Sequence, residues 1–106
     1  MASIKEFQAL EFRIAEILEV KSHPNADRLY VLKIKVGEEH KQVVAGIKLH
    51  YSETELVGKK VVIVNNMEPA VIRGTESQGM LLAASDGEKL TLVTPERDIP
   101  SGAQVR

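Results

Sequence analysis

Tyr30-Val-Leu-Lys-Ile-Lys-Val36, Lys41-Gln-Val-Val-Ala-Gly46, Ser52-Glu-Thr-Glu55 and Lys60-Val-Val-Ile-Val-Asn65 follow one another along the middle of the chain. In the first of these, Tyr30, Leu32, Ile34 and Val36 alternate with Val31, Lys33 and Lys35. Period two predicts a half-buried strand with its apolar face inward and its lysines outward. Gly37-Glu-Glu39 turns the chain into the second strand. Ser52 and Glu55 have the spacing of a capping box, opening a short helix that Leu56-Val57-Gly58 ends. The last run is continuously apolar, as in a strand buried on both sides or closing a barrel. Strand, strand, helix, strand is an order that few small folds share.

The flanks complete the pattern. Ser3-Ile-Lys-Glu6 is a second capping box, and Ile4, Phe7 and Leu10 form an apolar stripe on a short helix within residues 1–10. From Phe12 the period changes to two. Phe12, Ile14, Leu18 and Val20 share one parity and Arg13, Glu19 and Lys21 the other, while Glu16 and Ile17 break the alternation and predict a bulge. His23-Pro-Asn-Ala-Asp27 is a turn cluster. Near the C-terminus, Met80-Leu-Leu-Ala-Ala84 reads as an apolar strand, Asp86-Gly87 as a turn and Lys89-Leu-Thr-Leu-Val93 as the hairpin partner. The tail, residues 94–106, carries Pro95, Pro100 and Gly102 and should be extended or irregular. Five short strands with one helix after the third predict an all-β fold, the five-stranded oligonucleotide/oligosaccharide-binding (OB) barrel, with a β-sandwich as the competing architecture. The whole chain, 1–106, is expected to be one such domain.

Composition excludes several functions. With 14 Lys+Arg against 15 Asp+Glu the formal charge is -1, so indiscriminate coating of nucleic acid is not expected. Any such role must rest on local segregation of charge and on shape. No cysteine is present, which removes disulfides, thiolate metal sites and a cysteine nucleophile. The N-terminus has no long apolar run, so neither a signal peptide nor a membrane span is expected, and a cytoplasmic location is.

Between the last two strands lies Asn66-Met-Glu-Pro-Ala-Val-Ile-Arg-Gly-Thr-Glu-Ser-Gln-Gly-Met80. Its proline, glycines, arginine and amide and hydroxyl side chains are those of a binding loop, although a merely soluble hairpin loop would have them too. OB barrels meet ligands on strands two and three and on the loops joining strands 1–2 and 4–5. Those loops would be Ser22–Arg28 and Met67–Gln78. Arg28, Lys33, Lys35, Lys41 and Arg73 then converge on one surface as a phosphate-reading patch, against the alternative that each is an ordinary solvated charge. Few aromatic side chains are available for base stacking, which favours recognition of folded RNA by shape and backbone. No catalytic constellation is legible. His23, His40 and His50 lack metal-ligand spacing, Ser77 is not in a nucleophile elbow, and Arg73-Gly-Thr lacks the P-loop lysine. No cofactor and no metal are expected, and the chain reads as non-enzymatic.

Phe12-Arg-Ile-Ala-Glu-Ile, His23-Pro-Asn-Ala-Asp-Arg-Leu-Tyr, Val44-Ala-Gly-Ile, Leu56-Val-Gly-Lys-Lys, Gly74-Thr-Glu-Ser-Gln-Gly-Met-Leu-Leu-Ala-Ala and Thr94-Pro-Glu-Arg-Asp-Ile-Pro-Ser-Gly-Ala resemble, collinearly and over nearly the whole chain, the tRNA-binding domain family. This module occurs at the C-terminus of many methionyl-tRNA synthetases, in synthetase-associated cofactors and as stand-alone proteins. The resemblance implies an OB barrel with a C-terminal extension, a non-catalytic partner of tRNA, association with methionyl-tRNA synthetase, and a homodimer built on the N-terminal segment and tail. It implies a binding surface including Arg28, Lys33, Asn66, Arg73, Ser77, Gln78 and Met80. The apolar Ile4, Phe7, Leu10, Ile99 and Val105 suit a dimer interface, or packing on the protomer's own barrel. Where the family often has basic residues around the loop proline, this chain has Glu68, Ala70 and Val71, which predicts weak, salt-sensitive binding. The runner-up is an export-chaperone-like module that binds polypeptides on the same fold.

Overall fold

The computed structural model describes residues 1–106. In chain order the elements are α1 (Ile4–Gln8), β1 (Phe12–Ser22), β2 (Tyr30–Val36), β3 (Glu39–Ala45), α2 (Glu53–Leu56), β4 (Lys60–Val64), β5 (Ala70–Ile72), β6 (Thr75–Ser77), β7 (Met80–Leu81), β8 (Ala83–Ser85), β9 (Leu90–Leu92) and β10 (Gln104–Val105). The main sheet runs β3-β2-β1-β4-β7, every pair antiparallel, with β10 added beside β1. Both predicted capping boxes are present: Ser3 and Glu6 close the start of α1, and Ser52 and Glu55 that of α2.

β1 is the strand that curls the sheet. Phe12 to Glu16 pair with β4, and Glu16 to Ser22 pair with β2. The exchange of partners occurs at a register shift between Ile17 and Glu19, as a bulge does when it turns a corner. The bulge also reverses the side-chain parity. Ile17 is fully buried, whereas Leu18, expected to point inward, is 37% exposed. Ala15 and Ile17 face the core before the shift and Val20 after it, so alternation read straight through places Val20 correctly and misassigns Ile17 and Leu18 at the bulge itself.

β2 follows its pattern: Tyr30, Leu32, Ile34 and Val36 are buried while Lys33 is exposed and Lys35 half-buried. β4, from Val61 to Val64, is buried on both faces between β1 and β7. Ile17, Leu32, Ile34, Val43, Leu56, Val61 and Ile63 are the large side chains at the centre of the core. Burial of each contributes about 1.5–3 kcal/mol. Leu56 brings α2 into this core, and Leu92 anchors β9 there.

Two expectations for the C-terminal half change. The 66–80 connection is not irregular. It folds back as the β5–β6 hairpin, with Ala70, Val71 and Ile72 opposite Ser77, Glu76 and Thr75. Met80–Ala84 is not one strand but two. β7 ends the main sheet against Val64 and Ile63, then Leu82 crosses over and β8 pairs with β9. Leu82 holds that crossing through N–H donation to Val62 and acceptance from Val93. The tail is extended, as expected, and is tied to β1: Gly102 N–H donates to Ile14 C=O and Ile14 N–H to Ala103 C=O. Gly102 crosses Gly37 so closely that a Cβ there would lie 2.8 Å from the Gly37 Cα.

Candidate nucleic-acid interface

The β5–β6 hairpin stands at the open edge of the curled sheet and is fastened to β3. Val44 N–H donates to Ser77 Oγ at 2.9 Å, Gln78 N–H to Gln42 C=O at 2.7 Å, and Gln42 N–H to Gln78 Oε1 at 2.9 Å. Gln42 completes the tie with Nε2, which donates to Glu76 C=O at 2.8 Å. These bonds satisfy the edge that β3 would otherwise leave open.

A second fastening joins the hairpin tip to the 22–28 loop. His23 is 5% exposed, and its Nδ1 accepts Asn25 N–H at 2.9 Å. With that nitrogen an acceptor, the neutral ring carries its proton on Nε2, which donates to Ile72 C=O at 3.0 Å. Arg73 Nη2 lies 3.4 Å from Asn25 C=O, and Asn25 Nδ2 the same distance from Arg73 C=O. The tip itself is a two-residue turn, Arg73 (φ 53°) and Gly74 (φ 90°). Both central residues left-handed is the requirement of a type I′ hairpin turn. Arg73 is the sole non-glycine residue of the chain with positive φ, so the turn holds an arginine where asparagine or glycine would be easier.

The structure divides the expected patch into two adjacent parts. Lys33, Lys41, Gln42 and Gln78 line a groove of about 370 Å³ across β2 and β3, together with Glu19 and His40. Arg28 and Arg73 line a cleft of about 410 Å³ where the two loops meet, together with Asp27. Lys35 lies two residues along β2 from Lys33 and opposite His40, outside either lining. The four ion pairs of the protein use Arg13, Lys21, Lys60 and Arg97, so none of the five candidate cations is neutralised by direct contact.

The other candidates have distinct positions. Lys41 Nζ donates to Asn65 C=O and Asn65 Oδ1 at 2.9 and 2.8 Å, leaving one of its three protons free. Asn66 ties the end of α1, accepting Glu11 N–H on Oδ1 and donating through Nδ2 to Ala9 C=O. Met80 is exposed beside the hairpin. Ser77 requires a correction: it is 3% exposed, and its hydroxyl donates to Gly79 C=O while accepting Val44 N–H. It positions the hairpin and presents no side-chain group to a ligand. Sequence reading missed Gln42, His23 and Asn25. Only the turn chemistry of His23-Pro-Asn marked that region, and nothing local indicated that the ring would reach Ile72.

A polar chain runs from this face to the N-terminal segment. Lys41 donates to Asn65, Asn65 Nδ2 to Glu11 Oε2, and Arg13 Nη2 to Glu11 Oε1 at 2.8 Å. The Arg13 guanidinium first, and the Asn65 amide second, hold the Glu11 carboxyl below its ordinary value of 4.5. Ile4, Phe7, Leu10 and Ile99 are exposed apolar residues, Phe7 stacks on Phe12 at 5.4 Å, and Val105 is half-buried in β10 opposite Phe12. No group of three or more His, Cys, Asp and Glu side chains is arranged to hold a metal ion, and no helix is long and apolar enough to cross a membrane.

The curled five-strand sheet, the helix between its third and fourth strands and the bridging 4–5 connection define an all-β, OB-like binding module. Residues 12–104 match the family described as "Putative tRNA binding domain", and the chain belongs to that family. It is 52% identical over 104 residues to the methionine–tRNA ligase of Thermococcus kodakarensis, an alignment covering 98% of this chain and 14% of that enzyme. The chain thus spans about one-seventh of the length of the synthetases it matches. Among solved structures, it superposes on a MetRS-related protein from Pyrococcus horikoshii with a TM-score of 0.92 and 29% identity, covering 100% of this chain and 98% of that one. The CsaA chaperone protein from Picrophilus torridus superposes with a TM-score of 0.91 and 30% identity over the full length of both.

Proposed function

We propose that this chain is a non-catalytic module that binds folded tRNA by shape and backbone and acts in the cytoplasm beside methionyl-tRNA synthetase. The observation that carries the reading is the fastening of the hairpin. Arg73 is held against the 22–28 loop and next to Arg28, while Gln78 is held beside Lys33 and Lys41. Basic groups on pre-set backbone read phosphate spacing with little loss of conformational freedom on binding. Arg28, Lys33, Lys41, Arg73 and Gln78 make the contacts, Lys35 adds long-range attraction, and Ser77 and Asn66 act through the backbone they hold.

Asp27, Glu19 and Glu68 temper the field, so each protomer binds weakly. We place the gain in affinity in a homodimer formed over Ile4, Phe7, Leu10 and Ile99, with Val105 beneath. Ile4 is 74% exposed and Phe7 47%, more apolar area than a lone terminus needs. The relation to a chaperone gives the second reading, capture of unfolded polypeptide. Competition between tRNA and an unfolded polypeptide, followed by fluorescence anisotropy, separates the two. Displacement of polypeptide by tRNA at low salt is expected, and polypeptide binding indifferent to tRNA would overturn the proposal.

A further inference from the structure

The β5–β6 hairpin has two faces. Val71 and Glu76 face solvent, and Ala70, Ile72, Thr75 and Ser77 lie on the side toward the barrel. On that inner side, Val44, Met67, Ala70, Ile72 and Met80 line an apolar cleft of about 150 Å³, with Glu68 as its one charged residue. A volume near 150 Å³ suits a single aromatic ring system and is too small for an extended ligand. The Glu68 carboxylate is in no ion pair and accepts no hydrogen bond from the protein.

We propose that this cleft is a base pocket that takes one unstacked guanine of the bound RNA, with Glu68 accepting hydrogen bonds from its N1–H and N2–H. The inference rests on the RNA-binding reading above and deepens it. The flexible thioethers of Met67 and Met80 supply polarisable contact to the ring faces. An ionised carboxylate is acceptor-only, with two oxygens side by side. Guanine alone among the four bases offers two adjacent donors on its Watson–Crick edge, whereas adenine, cytosine and uracil each set a donor beside an acceptor. An apolar peptide side chain in the same cleft would desolvate the carboxylate without giving it a partner, which is unfavourable. Glu68, an electrostatic liability if it faced phosphate, becomes a specificity determinant when it faces a base edge.

The test uses the full chain and a set of hairpin RNAs, each with one unpaired bulge nucleotide (guanosine, inosine, adenosine or cytidine) or none. The guanosine bulge should bind about tenfold tighter than the adenosine or cytidine bulge, and inosine, which lacks the N2 amine, should fall between. Glu68→Gln should erase the guanosine preference. Glu76→Gln, which removes a carboxylate from the opposite face of the hairpin, should retain it. Equal affinity for all four bulges would overturn the base pocket, as would Glu68→Gln raising every affinity by the same factor, the signature of simple repulsion. Capture of unfolded polypeptide that Met67→Asp abolishes would overturn it too. Equal binding of all the RNAs leaves the RNA-binding function standing; binding of none removes both.

Discussion

The chain carries two three-pair hairpins in its C-terminal half, β5–β6 and β8–β9, and they are held in opposite ways. β8–β9 is stabilised by its own turn, by Leu92 and Leu90 packed on the core, and by backbone bonds of Val93 to Leu82 and Val62. Asp86 Oδ1 accepts N–H from Glu88 and Lys89, Leu92 is buried in the core, and Leu92 N–H donates to Tyr51 Oη. β5–β6 buries little apolar surface and is held by polar bonds from two other elements, through Ser77, Gln78 and Gln42 on one side and His23 and Asn25 on the other. A hydrophobic anchor fixes where a hairpin sits. Cross-ties to two elements also fix where its tip points, which is what a contact surface needs.

That contrast is open to attack, beginning with the anchor. Leu92→Ala should lower unfolding free energy by about 2–4 kcal/mol in urea titrations while leaving tRNA affinity per folded molecule unchanged. If affinity falls with stability, the two hairpins are not independent. Ser77→Ala should cost about 1–3 kcal/mol, because Val44 N–H is left buried without its acceptor, and here tRNA affinity should fall as well. Arg73→Asn removes the charge but keeps a residue suited to the type I′ turn. Stability should stay level or rise by up to about 1 kcal/mol, while affinity falls about fivefold and the slope of log K against log salt shrinks by about one.

The smallest effect is expected at the other tip. Hydrogen bonds from the backbone N–H of Lys89, then of Glu88, hold Asp86 below its ordinary value of 3.8. A depressed folded pKa stabilises above the unfolded value and is lost as pH falls through the folded one. The melting temperatures of the wild type and Asp86→Asn should therefore differ slightly at neutral pH, and the difference should shrink as pH falls from 3.8 through the lowered folded value. A difference that persists at lower pH would place the effect elsewhere.

Much of the fold was legible because its signals are local. Tyr30–Val36 alternates, Ser3/Glu6 and Ser52/Glu55 cap, and Val61–Val64 is apolar throughout, so these elements are fixed by period and spacing. Leu18 was misread because the bulge that Glu16 and Ile17 signal turns Leu18 itself outward, and a break in alternation does not say which residue leaves the core. The β5–β6 hairpin was missed because its strands are three residues long, and Arg73-Gly74 is an unusual turn pair. The sequence led to a single basic patch, whereas Lys33 and Lys41 line one groove and Arg28 and Arg73 another cleft. The burial of Ser77 was not legible, since a hydroxyl's commitment to Val44 N–H depends on a contact thirty-three residues away in sequence.

The central claim is that the fastened hairpin and the facing lysines read the shape of folded RNA. A salt series measures it most directly, comparing folded tRNA with unstructured RNA of equal length at matched protein concentration. Tighter binding of tRNA at every salt concentration is predicted, with the preference retained as both affinities fall. Equal affinities with equal slopes would show simple charge attraction and contradict the account.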